Sequence, residues 1–345
     1  MFTASLGVFL FGLLAAIAGG AVGAAIGGNY AFVLTGFCVL ASWGVFAATG
    51  NSFGFDYISF GPFMGPHIAF AGGAAAAVYA RYKGYMEDGK DVNSPLAGLG
   101  RPDVIYVGSI FGVFGYVVQI GISKIPWFGG HTDSVALPVL ISGILARIVF
   151  GGDPGKGLVK GSLHTPQSFA PGAKTFLEKI KPGPNGRWLE WQEHRGPLIA
   201  IGSLFGIFAG AVSIFLAANV PGGPAFANTF AFGISAVIIL FLITNRNMPV
   251  QHHVTITAGL AAMRFFPIFG GDFLMGDTDT AGWIAANAGP AIGALFAALL
   301  AGLFSAFLCE FFARLWYNRG TSHIDPPAAS IWISNTAVVS LALLF

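Results

Sequence analysis

Ten apolar stretches, separated by shorter polar or glycine- and proline-rich connections, dominate the hydropathy pattern of the chain. They lie near residues 4–27, 30–50, 60–82, 103–124, 132–150, 197–219, 223–243, 252–269, 284–316 and 325–345. A transmembrane helix needs roughly 20 apolar residues. Most stretches reach that length, and the third and eighth are the poorest because histidine, glycine and proline lie at their starts. The pattern predicts an all-α integral membrane protein with about ten transmembrane segments.

Two polar motifs occur once in each half of the chain, in the same order. A histidine followed six residues later by a glycine opens the third stretch, at His67, and the eighth, at His253. A His-x-Asp triplet begins at His131, before the fifth stretch, and at His323, before the tenth. The copies are 186 and 192 residues apart. Two ordered matches at nearly one offset predict an internal duplication.

The duplication divides the chain into two membrane repeats joined by a polar connector. We expect a first repeat over residues 1–150, a connector over 151–196 and a second repeat over 197–345. Five segments per repeat make the second repeat enter the membrane from the opposite side, so the repeats are inverted. This plan is similar to that of urea channels and of several secondary transporters. The similarity concerns the architecture of the whole chain and carries over no functional residue.

Composition and charge agree with a membrane protein and predict its orientation. The 345 residues are 55% hydrophobic and only 9% charged, whereas a soluble protein carries about 25% charged residues. The net charge of +2 is too small to indicate a nucleic-acid partner. If all ten stretches cross the bilayer, 15 of the 17 basic residues fall on one side. Basic loops stay in the cytoplasm, so we expect a multi-pass protein of the cell (inner) membrane, with both termini outside and the connector inside.

The starts of the third, fifth, eighth and tenth stretches contain glycine or proline next to the repeated histidines. If these segments were straight full-length spans, the histidines would be interfacial residues that flank helices. If the segments are broken or re-entrant, their N-termini reach the middle of the membrane and face one another. Non-helical backbone is tolerated at that depth only where it lines a cavity or is buried in protein. The recurrence in both halves makes the second arrangement a serious alternative, and we expect segments three, five, eight and ten to be broken.

The repeated motifs also contain the polar side chains that could form a binding site. Asp133 and Asp325 are expected N-caps, because aspartate is favoured there, and Pro326 after Asp325 suits the first helical position. A histidine before the cap can fold back and hydrogen-bond to the carboxylate, which fixes the imidazole tautomer. Ionisable residues within membrane segments are candidates for function. The expected site consists of His67, His131, Asp133, His253, His323 and Asp325, with Thr132, Thr255, Thr257 and Ser322 as further hydrogen-bonding groups.

Three kinds of ligand are compatible with these residues. Helix N-termini and protonated histidines suit anions, carboxylates or carbonyl groups. A divalent transition metal could be held by His131, Asp133, His323 and Asp325, since imidazole suits such metals. The same groups could also relay protons and so couple solute movement to a proton gradient.

Two further ionic features lie inside apolar stretches. Arg147 is expected to extend toward the cytoplasmic surface or to face a cavity. Glu310 precedes Arg314 by four residues, the spacing of a helical ion pair, and this pair is expected to be structural.

The leading functional hypothesis is a transporter or channel for a small polar or charged solute, with its site between the repeats near the middle of the membrane. The alternatives are a structural or assembly subunit of a larger membrane complex and a transition-metal transporter. A membrane enzyme ranks last, because the sequence shows no nucleophile–base pair, haem spacing or paired catalytic carboxylates. We therefore expect no enzymatic activity and no cofactor. The expected partners are a small molecule or ion, the lipid bilayer and, as a possibility, further copies of the chain.

Overall fold

The structure is a computed structural model that describes residues 6–155, 157–164, 169–182, 188–275 and 279–345. Within these residues all regular secondary structure is helical, and no strand occurs. Ten long helices account for most of it. They are α1 (Leu6–Ile26), α2 (Gly28–Thr49), α3 (Ala69–Tyr82), α4 (Pro102–Ser123), α5 (Ala136–Phe150), α6 (Arg195–Asn219), α7 (Asn228–Ile243), α8 (His252–Ile268), α9 (Thr280–Phe312) and α10 (Pro326–Ala342).

Five of these helices are long and apolar enough to cross a membrane. They are α1, α2, α4, α6 and α9, the last continued to Tyr317 by a π-helical turn. Their lengths of 21, 22, 22, 25 and 38 residues meet the roughly 20 residues that a bilayer core requires. The described residues are therefore all-helical in their regular structure, and the length and composition of these five helices indicate a membrane protein. The Glu310–Arg314 ion pair predicted from the sequence forms near the end of α9.

The other five helices are shorter than a full span. α3 has 14 residues, α5 has 15, α7 has 16, and α8 and α10 have 17 each. The third apolar stretch was expected over residues 60–82, but its helix begins only at Ala69. The residues before it form a π-helical turn, Gly54–Ser59, followed by irregular turns. Proline and glycine in this segment interrupt a continuous helix.

The starts of α3 and α8 lie well inside the protein. The carbonyl oxygen of His67 abuts Gly115 of α4, which lies eight residues before the end of that helix. At 1.5 Å per residue, the start of α3 therefore lies about 12 Å deeper in the protein than the end of α4, and this depth is called its recess. In the second half, Ser305 Oγ of α9 donates a hydrogen bond of 2.9 Å to the carbonyl of His253. Ser305 lies seven residues before Phe312, which corresponds to about 10 Å.

Each half packs three helices tightly around glycine contacts. In the first half α1, α3 and α4 contact one another, and in the second half α6, α8 and α9 do the same. Gly20 of α1 lies against the backbone of Gly108 in α4. Correspondingly, Gly302 of α9 lies against the backbone of Gly202 in α6. Small residues at these crossings allow the backbones to approach closely, which is typical of helix packing in membranes.

Two antiparallel helix pairs join the halves. In the α5–α10 pair, Asp133 at the start of α5 accepts a 2.8 Å hydrogen bond from Asn335 in the middle of α10. Gly143 in the middle of α5 lies against the backbone of His323, just before α10 begins. In this pair the start of each helix therefore lies beside the middle of the other.

The α2–α7 pair shows the same antiparallel arrangement. Gly36 of α2 contacts Ala236 of α7. Seven residues further along α2, the Trp43 indole donates to Thr229 Oγ1 at 3.0 Å, which is seven residues earlier in α7. The two contacts fix opposite chain directions for the pair.

Several connections meet at one end of the bundle, here called the basic end. It contains the loop between α1 and α2, the loop after α3, the connector after α5, and the loops before α8 and before α10. Contacts between these loops include Asn29 N–H to Val92 O at 2.9 Å, Gln192 Nε2 to Val250 O at 2.7 Å and Thr321 Oγ1 to Gly151 O at 3.0 Å.

Candidate functional site

A cavity of about 610 Å³ lies between the two halves. Its lining includes a residue at the start of each of four short helices: Pro66 before α3, Asp133 before α5, His252 at the start of α8 and Asp325 before α10. The four helices come from both halves of the chain and bring polar groups to one cavity.

Asp133 caps α5 and bridges to α10. Its Oδ1 accepts backbone hydrogen bonds from Val135 and Ala136, at 3.0 and 2.7 Å. Its Oδ2 accepts the hydrogen bond from Asn335 Nδ2. Asp133 and Asn335 both line the cavity. The carboxylate is therefore held by three neutral donors and faces the space between the halves.

Asp325 plays the corresponding part at α10. Its Oδ2 accepts a backbone hydrogen bond from Ala328 at 2.7 Å, and its Oδ1 lies 3.0 Å from His323 Nε2. The predicted His-to-Asp hydrogen bond is thus confirmed in this copy of the motif. Asn335, which contacts Asp133, lies ten residues after Asp325. The two carboxylates are therefore about 15 Å apart along the axis of α10.

His252 lies in an aromatic part of the cavity. Its ring is 4.6 Å from that of Phe32 and 6.0 Å from that of Phe232, measured between centroids. The side chain is 6% exposed, and its Nδ1 is buried without a hydrogen-bond partner. No side chain caps the start of α8. Nδ1 of His323 is likewise buried without a partner. An unpartnered polar atom at such a site is costly unless a ligand or water satisfies it.

The cavity reaches the basic end through the loops that meet there. Lys90, Trp188, Trp191, Asn245 and Arg246 all line it and all belong to connections at the basic end.

Apolar side chains separate the cavity from the other end of the bundle. A second void of about 150 Å³ is lined by Phe55, Asp56, Phe60, Gly61, Pro62, Tyr116, Gln119, Val135 and Phe226. Phe60 and Val135 line both voids. The ring of Phe60 also packs against that of Phe232 at 5.7 Å. These residues form an apolar barrier between the large cavity and the smaller void.

Three of the predicted site residues line the cavity: Asp133, His323 and Asp325. Both aspartates act as N-caps, as predicted. His67 and His253 are buried behind the cavity, and neither ring has a hydrogen-bond partner. Their neighbours Pro66 and His252 take the lining positions instead.

The first His-x-Asp motif differs from the second. His131 stacks on Trp127 at 4.5 Å, and its Nδ1 contacts the carbonyl oxygen of that residue. The Phe128–His131 turn holds it there. Its ring therefore bonds to a backbone carbonyl, whereas the ring of His323 bonds to a carboxylate.

The predicted hydroxyl groups connect helices. Thr132 bonds to Thr336 at 3.0 Å, and Thr255 bonds to Ser235 of α7 at 3.0 Å. Thr257 Oγ1 reaches Asn335 at 2.8 Å, so it supports a lining residue from behind.

Ser322 is held by the buried guanidinium of Arg147. Its Oγ accepts from Arg147 Nε at 2.7 Å, and its carbonyl accepts from Arg147 Nη2 at 2.6 Å. Arg147 is 1% exposed. It does not extend to the surface, because these acceptors satisfy it inside the protein.

The four residues of the hypothetical metal site do not form a metal cluster. In the described ranges, no group of three or more histidine, cysteine, aspartate or glutamate side chains is close enough to hold a metal ion. The transition-metal alternative thus has no geometric support in that part of the chain.

Comparison with protein families matches residues 3–345 to a family described as a family of unknown function, DUF7973. The chain belongs to this family. No curated protein and no solved structure matches it. The assignment covers nearly the whole chain but brings no activity with it, so functional conclusions for this DUF7973 member rest on its own geometry.

The cavity residues that the sequence analysis missed include His252, Asn228 and Asn335. Each is a polar residue within or at the start of an apolar stretch, which is itself a sign of function in membrane segments. His252 was passed over because the repeat pattern aligns His67 with His253. The choice between two adjacent histidines depends on which face of α8 meets the cavity.

Proposed function

We propose that this protein is a membrane transporter or channel for a small polar or charged solute. The supporting observation is the cavity of about 610 Å³ whose lining includes the starts of four short helices from both halves. Sites of this kind, at the interface of repeats and near discontinuous helices, are typical of secondary transporters.

The proposal includes ten membrane segments arranged as two inverted five-segment repeats. In its favour, the helix trio α1, α3 and α4 has a counterpart in α6, α8 and α9. The contacts of the antiparallel α5–α10 pair are symmetric: the start of α5 contacts the middle of α10, and the start of α10 contacts the middle of α5. The recesses of about 12 and 10 Å before α3 and α8 suit broken segments that enter from opposite sides.

The basic end would face the cytoplasm under the positive-inside rule. Both termini would then lie outside, in the cell (inner) membrane. In this orientation the cavity lining extends to the cytoplasmic loops through Lys90 and Arg246, and the barrier of Phe60 and Val135 lies toward the outside. The arrangement corresponds to an inward-facing state. Solute would reach Asp325 first and Asp133 about 15 Å deeper.

Solute flux into liposomes that contain the purified protein tests the proposal. Stopped-flow light scattering would follow flux for a panel of small cations, anions and neutral polar solutes. We expect at least one solute to move faster than in protein-free liposomes and His323→Ala to abolish this flux. His131→Ala is the matched control, because it changes the same residue type in the other copy, where the ring packs on Trp127.

The outcomes separate clearly. Flux that survives His131→Ala and disappears in His323→Ala supports the cavity as the pathway. If no solute in the whole panel moves faster than in protein-free liposomes, with or without an imposed proton gradient, the proposed function is refuted. If both variants retain the same flux, His323 does not belong to the pathway.

A further inference from the structure

We infer that the cavity selects primary ammonium ions, the protonated form of aliphatic amines. The inference rests on the proposed function and specifies its substrate class. Its basis is the combination of carboxylates and aromatic rings that line one space.

The charges of the cavity differ between its interior and its mouth. Asp133 and Asp325 lie at the starts of α5 and α10, and in the described residues no lysine or arginine forms an ion pair with either carboxylate. The basic lining residues, Lys90 and Arg246, belong to loops at the basic end. Asp325 contacts the imidazole of His323, whereas Asp133 has only neutral hydrogen-bond donors around it. The negative charge of Asp133 favours a cation in the interior and disfavours an anion.

The aromatic part of the cavity wall is suited to the organic part of such a cation. Phe32 contacts Phe70 and Phe232 at centroid distances of 6.0 and 5.7 Å, and all three rings line the cavity. A cation over an aromatic face is attracted by the ring quadrupole. The cavity volume of about 610 Å³ is also far larger than a bare metal ion requires, so an organic ion fits it better.

Two imidazole rings complete the wall of the cavity. His252 and His323 are 6% and 3% exposed, and both line the cavity. A primary ammonium has three N–H donors, so it can donate hydrogen bonds to a lining carboxylate, which a quaternary ammonium cannot.

The protein already places an ammonium group of its own in this environment. Lys90 Nζ lies 5.5 Å from the ring centroid of Tyr317. The Tyr317 ring in turn packs on that of His323 at 5.1 Å, and His323 bonds to Asp325. The lysine side chain is an n-butylammonium group, and here its ammonium lies over an aromatic ring on the Asp325 side of the cavity. Lys90 thus acts as a tethered competitor of the free ligand.

Isothermal titration calorimetry of the purified full-length protein tests this inference with three probes of similar size and different charge. They are n-butylammonium, neutral 1-pentanol and anionic pentanoate. We expect n-butylammonium to bind at least tenfold more tightly than either of the others. Asp133→Asn should weaken its binding at least tenfold. Asparagine keeps the helix cap but loses the bond from Asn335, so a small fall in melting temperature is expected as well, and the folded fraction is checked by circular dichroism at the titration temperature.

Lys90→Met tests the inference with a change that should strengthen binding, whereas Asp133→Asn should weaken it. Removal of the tethered ammonium should tighten n-butylammonium binding several-fold. If the cavity instead bound anions, the same change would remove a ligand and weaken the binding of pentanoate.

The inference is overturned if n-butylammonium binds no more tightly than 1-pentanol, or if Lys90→Met weakens its binding. Absence of binding by all three probes overturns it as well. If pentanoate or pentanol binds and His323→Ala abolishes that binding, the substrate class is wrong while the proposed function stands. If no solute moves in the flux assay, the proposed function itself fails.

Discussion

Replacing Gly115 by alanine adds one methyl group at the point where α4 fixes the depth of the α3 start. A Cβ atom at this position would lie 1.8 Å from the carbonyl oxygen of His67, against the 3.4 Å at which ordinary contact begins. Backbone atoms must therefore move by about 1.6 Å to relieve the clash. The neighbouring contacts leave little room, because Ala69 O is equally close to the position of a Cβ on Gly23 of α1.

The expected cost follows from two opposing effects. Overpacking of a buried site costs about 1–3 kcal/mol and occasionally more. The higher helix propensity of alanine returns up to about 1 kcal/mol. We therefore expect Gly115→Ala to lower the free energy of unfolding by up to about 3 kcal/mol, with about 2 kcal/mol as the value when alanine returns its full helix propensity, and to displace His67 together with Pro66 at the cavity wall.

Thermal unfolding in detergent, followed by circular dichroism, measures the effect. Gly121→Ala is the matched control, since it makes the same change in the same helix at a position with open space. The control should melt at or above the wild-type temperature, and Gly115→Ala should melt several degrees lower. Identical melting of the two variants would refute the close packing of the α3 start against α4.

Two further predictions concern the barrier and the buried arginine. In a background without other cysteines, Val139→Cys should react with a membrane-impermeant maleimide from the basic end only, and adding Phe60→Ala should allow reaction from both ends. One-sided labelling in the double variant would place the barrier elsewhere. Arg147→Lys should lose one of the two bonds to Ser322 and destabilise the protein by about 1.5–3 kcal/mol, the range for a hydrogen bond to a charged group, measured as a lower melting temperature. An unchanged melting temperature would contradict a structural role for the two hydrogen bonds from the Arg147 guanidinium to Ser322.

The ten apolar stretches predicted the helical class and most helix positions correctly, because long apolar stretches have few alternatives to a helix in a membrane. The helix boundaries were less accurate where glycine and proline occur. Residues 60–68 are apolar enough to be counted as part of the third segment, yet they form turns. Hydropathy measures the preference for a nonpolar environment and does not distinguish a helix from buried irregular backbone.

The candidate site was predicted only in part. The aspartates were identified as caps because their chemistry is local: a carboxylate two or three residues before a helical N–H can accept from it. His131 and His323 looked equivalent in sequence, but the first ring packs on Trp127 and the second bonds to Asp325. That difference depends on the turn before α5, which no repeat pattern reveals.

The sequence by itself determined that the chain is helical, apolar and suited to a membrane, and it located the two aspartate caps. These properties depend on residues close together in the chain and on composition. Only the tertiary structure decided which polar groups share the cavity, because this depends on how helices from the two halves pack. Asn335 illustrates the distinction, since it is one amide in an apolar stretch until the antiparallel α5–α10 contact brings it within 2.8 Å of Asp133.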